Sequence, residues 1–302
     1  MIMNLLHLKY MIEVDKYGSI SKAATHLYLN QPRLSKIIKE IEAEMNIKIF
    51  ERNSKGVTPT KKGRQFLDRA ISIVSEVEAL ENMYHEDSLK TVSLNISVPR
   101  VSYISEAFIR FLRSERIKDK DIDINYRETN TEQAISNINE GEDHLGIIRI
   151  PVDQMNYYEN ILALKGIKWE ELFRFHYLVL MSKDNVLANK NIYLADLYDQ
   201  IELIHGDSRI QDQDNPYQQA NKTIKIYERA SQYEILRYVK DTYIWASPLS
   251  KEMLDAYGLI LKECLDQKNE YIDLVIYRKG YNPTSEEGDF IRYLHQLTEQ
   301  FK

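Results

Sequence analysis

The stretch from Ile20 to Lys39 reads ISKAATHLYLNQPRLSKIIK and predicts two short helices joined by a tight turn. We expect the first helix to start after Ser21, whose hydroxyl can accept a hydrogen bond from a first-turn amide. Asn30 is a favourable N-cap for the second helix, and Pro32 in its first turn lacks an amide that would have no partner there. This pattern is typical of a helix-turn-helix with a recognition helix.

The second helix has an apolar face and a polar face. Apolar residues recur at helical spacing and predict a buried stripe, namely Leu34, Ile37, Ile38 and Ile41. The opposite face carries side chains that can reach base edges and phosphates, namely Gln31, Arg33, Ser35, Lys36 and Lys39. Gln31 and Arg33 suit base edges, whereas the lysines, with Lys55 and Lys62, suit phosphates.

The flanking residues complete a winged domain over residues 1–60. Leu5, Leu8, either Met11 or Ile12, and Val14 predict a first amphipathic helix that ends near Gly18. Residues 47–52 alternate like a strand, a polar turn containing a glycine follows, and residues 57–60 lead back. We therefore expect a three-helix core with a two-stranded wing.

Residues 61–87 predict one long helix capped by Thr60 and roughly 35–40 Å in length. We interpret its apolar stripe as a dimerisation surface formed by Phe66, Leu67, Ala70, Ile71, Val74, Val77 and Leu80. An ordinary core helix of the following domain is the alternative.

From Val92 onward strands and helices alternate, which favours parallel sheets with crossover helices. The overall fold class is α/β, and residues 88–302 predict two α/β lobes resembling periplasmic binding proteins. Lobe 1 is expected at about 92–168 and 268–302, and lobe 2 at about 169–267, with one long strand at 173–181. A ligand between lobes would lie near strand carboxyl ends. The residues nominated there are Arg100, Ser102, Thr129, Asn130, Arg149, His205 and Ser247. Arg100 or Arg149 could hold a carboxylate with two hydrogen bonds.

Composition and charge favour a cytoplasmic DNA-binding protein. Residues 1–65 hold 12 Lys/Arg and 6 Asp/Glu, whereas the remainder holds 28 and 40, so a basic domain precedes an acidic one. Chance segregation of solvated charges is the alternative. No apolar run approaches a membrane span and no signal peptide is recognisable. A single cysteine, Cys264, excludes an intramolecular disulfide.

The first ninety or so residues resemble the LysR-type transcriptional regulators. The matching segments read GSISKAA at 18–24, NQPRLSKII at 30–38, IKIFER at 47–52 and TPTKKG at 58–63. The resemblance implies a homodimer or homotetramer on double-stranded promoter DNA, a small-molecule effector between the lobes, and contact with RNA polymerase in an activator. Family recognition positions fall on Gln31, Pro32, Arg33, Ser35 and Lys36, with Arg52 and Lys55 on the wing. The complete set of expected DNA contacts is Ser21, Asn30, Gln31, Pro32, Arg33, Ser35, Lys36, Lys39, Arg52 and Lys55.

Two departures from the family pattern stand out. Arg33 replaces a small residue, and residues 240–245 read KDTYIW where the family has a glycine-containing run. Three other classes of protein fit the sequence less well. An enzyme is disfavoured because no dinucleotide, phosphate-loop, metal-spacing or nucleophile-elbow motif is present, and we expect no cofactor or metal. An architectural DNA binder is disfavoured by the large acidic domain, and a solute-binding protein by the basic start.

Overall fold

The protein is described by a computed structural model that covers residues 4–53, 56–84, 91–100, 103–206, 220–227 and 229–301. The head, residues 4–60, begins with helices α1 Leu5–Tyr17, α2 Ile20–His26 and α3 Gln31–Met45. Asn4 and Asn30 cap α1 and α3 with their side chains, as short polar residues do at helix starts. The cap of α2 is Ser19, whose hydroxyl accepts from the Lys22 amide at 3.4 Å. The expected start after Ser21 is therefore wrong, because Ser19 precedes the first helical residue.

The wing is a hairpin of β1 Phe50–Asn53 and β2 Gly56–Pro59, paired antiparallel. Its entry is fixed by Glu42 of α3, a buried carboxylate that accepts from the Ile49 amide at 2.8 Å and the Phe50 amide at 3.1 Å. Burial raises the pKa of Glu42, but hydrogen bonds from Lys48 and these two amides outweigh it, so that pKa lies below its ordinary value. The wing is thus attached to the three-helix core rather than merely adjacent to it.

Helix α4, Lys61–Tyr84, leaves the head directly after the wing. Thr60 caps it by accepting from the Gly63 amide at 2.9 Å, as the sequence predicts. Gly63 is required here because a Cβ would lie 1.9 Å from the Ile49 carbonyl oxygen. With 24 residues, α4 is roughly 36 Å long.

Two five-stranded sheets follow. The remaining strands are β3 Thr91–Val98, β4 Asp121–Glu128, β5 Leu145–Pro151, β6 Ile167–His176, β7 Leu178–Ser182, β8 Ile201–His205, β9 Lys222–Ile226, β10 Thr242–Ala246, β11 Leu259–Lys262 and β12 Glu270–Arg278. The helices are α5 Ile104–Leu112, α6 Thr131–Glu140, α7 Met155–Leu164, α8 Arg229–Tyr238, α9 Lys251–Tyr257 and α10 Ser285–Thr298. Lobe 1 is built on the sheet β4-β3-β5-β12-β6 and lobe 2 on the sheet β11-β7-β10-β8-β9.

The two-sheet α/β arrangement is confirmed, but three details differ from expectation. The sheets are mixed, since β12 runs antiparallel to β5 and β6, and β7 runs antiparallel to β10 and β11. The predicted strand 173–181 is divided at Tyr177 into β6 and β7, which belong to different sheets. Lobe 1 therefore extends to His176, beyond the expected limit of 168. No described helix is long and apolar enough to cross a membrane.

Candidate nucleic-acid interface and ligand site

The recognition helix α3 presents its two faces as its periodicity predicts. Leu34, Ile37, Ile38 and Ile41 are buried in the core of the head. The outward face carries the exposed side chains of Pro32, Arg33, Lys36 and Lys39. We call Arg33, Lys36 and Lys39 the basic face of α3. A helix with one closed apolar face and one exposed cationic face can enter a DNA groove without unfolding the domain.

Other polar residues expected at this surface already have partners within the head. The Asn30 carboxamide oxygen accepts from the Arg33 amide at 2.9 Å, so it serves as the helix cap. Gln31 Nε2 donates to Ser35 Oγ at 2.7 Å, which orients both side chains along α3. Ser21 is exposed, and its carbonyl accepts from the Thr25 hydroxyl at 3.1 Å.

The wing adds cations beside this face. Arg52 is exposed on β1, and Lys62 is exposed at the start of α4. Lys55 lies outside the described residues. Lys36 also approaches Glu40 one turn later, at 3.7 Å, an exposed pair that is weak enough to exchange for a phosphate.

The stripe on α4 is divided between two surfaces. Leu67, Ala70 and Val74 are buried within the chain, where they pack with residues of the head such as Leu8. Phe66 is also packed there, and Ile71 and Val77 are partly buried. The expected subunit contacts through Leu67, Ala70 and Val74 are therefore wrong, because α1 already covers them. Leu80 is 55% exposed, and Ile73, which the sequence analysis did not nominate, is 48% exposed.

The residues nominated at strand ends fall into two groups. In lobe 1, β3 and β4 are parallel neighbours, and the Thr129 amide donates to the Val98 carbonyl at 2.9 Å. This places Arg100, Thr129 and Asn130 at one edge of the sheet, with the Asn130 side chain capping α6. In lobe 2, the ends of parallel β8 and β10 bring His205 and Ser247 to one edge. Ser102 lies outside the described residues.

Arg149 does not belong to this group, and its expected role as a ligand grip is wrong. Its Nε and Nη2 each donate to Asp273 at 2.8 Å, and Asp273 lies directly opposite it on β12. Tyr103 Oη donates to the same carboxylate at 2.9 Å, and the guanidinium lies 4.7 Å from the centre of the Phe175 ring. Both charges are buried, and the pKa of Arg149 stays above its ordinary value: burial lowers it, but Asp273 outweighs that effect. The guanidinium is thus committed to the interior of lobe 1.

Asp273 and Tyr103 were missed by the sequence analysis, although a signal existed. Arg149 is the one charge in β5, and Asp273 is the one charge in the interior of β12, where Glu270 and Arg278 are the end residues. Opposite charges within two apolar stretches of this kind indicate a buried pair. A comparable feature is Glu202 on β8, which is 2% exposed and faces Tyr243 of β10. Burial raises the pKa of Glu202 to about 7, and the facing Tyr243 hydroxyl offsets part of that rise.

The remaining candidates for chemistry show no reactive arrangement. Burial raises the pKa of the Cys264 thiol to about 12, and its Sγ lies 3.3 Å from Asp266 Oδ1. At that pKa the thiolate form is scarce near neutral pH. In the described ranges, no group of three or more His, Cys, Asp or Glu residues could hold a metal ion.

Comparisons with known proteins agree with this geometry. Residues 5–64 match the family model described as bacterial regulatory helix-turn-helix protein, lysR family. The chain is 35% identical over 101 residues to the uncharacterized HTH-type transcriptional regulator YcgK of Bacillus subtilis, covering 33% of this chain and 31% of YcgK. The matched parts span 25% to 65% of the curated relatives' lengths, less than two thirds in each case.

Two solved structures resemble the whole chain. Full-length LysG of Corynebacterium glutamicum with bound effector Arg has a TM-score of 0.57 at 13% identity, with 99% of both chains covered. A full-length OxyR variant from Pseudomonas aeruginosa has a TM-score of 0.55 at 16% identity, covering 98% of this chain and 95% of OxyR. Residues 5–64 thus match the helix-turn-helix domain of the lysR family, and the two structures show that the chain as a whole has the fold of these full-length proteins.

Proposed function

We propose that this protein is a sequence-specific transcriptional regulator of the LysR type. It binds promoter DNA through α3 and the wing, as a homo-oligomer, and a small-molecule effector at the lobes modulates that binding. The observation that carries the proposal is the basic face of α3, which is exposed while the opposite face of the helix closes the core of the head. The acidic remainder of the chain adds nothing to phosphate affinity, so the contact is confined to the head.

Two kinds of DNA contact divide the basic face. Arg33, near the start of α3, is the side chain assigned to base edges, since a guanidinium can donate two hydrogen bonds to a guanine. Lys36, Lys39 and Arg52 are assigned to phosphates, where they add affinity that depends on salt but not on sequence. Asn30 caps α3, and Gln31, Pro32 and Ser35 lie in its first two turns. These four residues and Ser21 of α2 are assigned to contacts with the DNA backbone. Lys55 is assigned to the wing contact by its place in the sequence.

The remaining parts of the proposal follow from the other domains. Oligomerisation is assigned to the exposed side of α4, which could serve as the subunit contact of a dimer or of a tetramer. The effector is assigned to the strand-end residues Arg100, Thr129, Asn130, His205 and Ser247, together with Ser102. The protein acts in the cytoplasm without enzymatic activity of its own, and an activator of this type would also contact RNA polymerase.

The decisive experiment selects DNA sites from a random library with the full chain and then compares variants on the selected site and on random DNA. Arg33→Ala should lose the preference for the selected site, by about 1–3 kcal/mol. Lys39→Ala should weaken binding to both DNAs and lower the salt slope by about one. Lys190→Ala, an exposed lysine of lobe 2, is the matched control and should change neither. Equal losses on both DNAs for Arg33→Ala and Lys39→Ala would contradict the recognition-helix assignment.

The effector site is tested separately by a thermal-shift screen of small metabolites against the full chain. A compound that stabilises the protein should lose its effect in Thr129→Val, which removes a hydroxyl at the edge of lobe 1 and keeps the shape. A stabilising compound whose effect is unchanged in this variant, and in Ser247→Ala, would place the site elsewhere.

A further inference from the structure

The head contacts lobe 1 of the same chain through a shared carboxylate. Asp15 on α1 accepts from Arg64 Nη1 at 2.8 Å and from Arg64 Nη2 at 3.0 Å. The same carboxylate accepts from Arg278 Nη2 at 2.9 Å. Arg64 belongs to the start of α4, whereas Arg278 is the last residue of β12 in lobe 1. One acidic side chain of the head therefore joins two parts of the protein.

The charges make Asp15 necessary for this contact. The Asp15 side chain is 7% exposed and that of Arg278 is 12% exposed, so neither charge is well hydrated. Burial lowers the pKa of Arg278 and the nearby Arg64 guanidinium lowers it further, while Asp15 raises it. Without Asp15, the half-buried guanidinium groups of Arg64 and Arg278 would repel each other across the contact, and Asp68 would be the remaining carboxylate near Arg278.

The backbone beyond β12 continues the contact. Gly280 has φ +92°, and a Cβ there would lie 2.5 Å from the Asp68 carbonyl oxygen on α4. The loop of lobe 1 therefore touches the backbone of α4 directly, which a residue with a side chain would prevent. Nearby, Lys16 Nζ of α1 lies 3.4 Å from Glu142 Oε1 of lobe 1.

Between these contacts the surfaces do not close. A cavity of about 380 Å³ remains between α1, α4 and lobe 1, and its lining includes Ile12, Ile71, His144, Lys16 and Arg278. The contact is thus held at its edges by ion pairs rather than by continuous apolar packing, and it depends on those charges.

We propose that Asp15 anchors an intrachain docking surface that holds the back of the head on lobe 1, so that the angle of α3 follows lobe 1. The strand that supplies Arg278 also carries Asp273, the partner of buried Arg149, five residues earlier and therefore roughly 17 Å away. Asp273 and Arg278 thus connect the interior of lobe 1 with the head through a single rigid element. The consequence for α3 on DNA rests on the proposed function, whereas the docking contact does not.

The docking contact is tested by carbodiimide cross-linking of the full chain in the absence of DNA. The reagent joins an amine to a carboxylate as an amide, with loss of water, so the Lys16–Glu142 pair across the contact should be linked. The Lys36–Glu40 pair, 3.7 Å apart within α3, provides the internal standard. Arg278→Gln should reduce the Lys16–Glu142 product about tenfold relative to this standard, because it leaves Asp15 paired only with Arg64 of α4 and without a partner in lobe 1.

Three controls make the result decisive. Arg174→Gln removes an exposed arginine of lobe 1 that pairs within the lobe and should leave the product unchanged. Arg278→Lys keeps the charge and should retain more of the product than Arg278→Gln. In a mixture of ¹⁵N-labelled and unlabelled chains after subunit exchange, the cross-linked peptides should contain only one isotope. Mixed-isotope peptides, no product in the unmodified protein, or an equal yield in Arg278→Gln would each overturn the proposal without bearing on DNA binding.

Discussion

The buried carboxyl of Glu202 should make lobe 2 less stable as the pH rises. Glu202 is 2% exposed, and its Oε2 has no hydrogen-bond partner among the described residues. Glu202 lies on β8 opposite Tyr243 of β10, and Tyr243 lies opposite Met181 of β7. Tyr243 and Met181 both belong to one apolar cluster of lobe 2. Removal of the carboxylate from water therefore dominates its behaviour and favours the protonated form.

The magnitude follows from the pKa. Burial raises the pKa of Glu202 from 4.5 to about 7, so the folded lobe binds this proton more tightly than the unfolded chain does. The resulting stabilisation is complete below pH 4.5 and is lost as the pH rises to about 7, a loss of roughly 3 kcal/mol. Above that pH the contribution is constant. Since Glu202→Gln is neutral at every pH, its unfolding free energy relative to the unmodified protein should rise by roughly 2 to 3 kcal/mol between pH 5 and pH 8.

The assay is urea unfolding followed by the fluorescence of Trp245, which lies 6.1 Å from Tyr243 between ring centres. The chain has two tryptophans, so a Trp169→Phe background makes the signal specific for lobe 2. Glu263→Gln changes an exposed carboxyl of the same lobe and serves as the matched control. If the Glu202→Gln and Glu263→Gln curves shift in parallel from pH 5 to pH 8, the reasoning about the buried carboxyl is refuted.

Two further predictions concern the interior of lobe 1 and the linker helix. Asp273→Asn should destabilise lobe 1 by about 3–5 kcal/mol in urea unfolding followed by the fluorescence of Trp169, because Arg149 stays buried without its charge partner. The double variant Asp273→Leu with Arg149→Met should restore much of this loss. Equal stability of the single and double variants would argue against a paired charge. The double variant Ile73→Asp with Leu80→Asp should lower the mass of the assembly in sedimentation, because both side chains are exposed on α4. Val186→Asp, an exposed position of lobe 2, is the control and should leave the mass unchanged. An unchanged mass in the double variant would exclude this face of α4 as the subunit contact.

The head was largely predictable from the sequence because its signals are local. Asn30 and Thr60 cap the helices that follow them, as the sequence predicts, and both bonds span three residues. The apolar spacing in α3 predicts its buried face for the same reason. Two details differ from expectation: the first wing strand, predicted from residue 47, begins at Phe50, and the start of α2 is a choice between two serines two residues apart, Ser19 and Ser21. Only the hydrogen bond to the Lys22 amide distinguishes them.

The long helix and the ligand site show where such signals end. Periodicity predicts that Leu67, Ala70 and Val74 face something apolar, but not that α1 covers them. Likewise the order of strands in the sequence correctly places Arg100 and Thr129 at one edge of the lobe 1 sheet. The same reasoning wrongly nominates Arg149 as a ligand contact. The partner of Arg149 is 124 residues away and becomes its neighbour only because β12 inserts between β5 and β6.

The sequence by itself determined the winged helix-turn-helix, the basic face of α3, the single long helix and the presence of two α/β lobes. Caps, turns and periodicity carry this information because they act within a few residues. The tertiary structure decided the antiparallel insertion of β12 and β7, each next to an edge strand of its sheet, the burial of Arg149 and Glu202, and the attachment of the head to lobe 1 through Asp15. These depend on residues far apart in the chain, whose pairing is set by strand insertion and by the exclusion of water from charges.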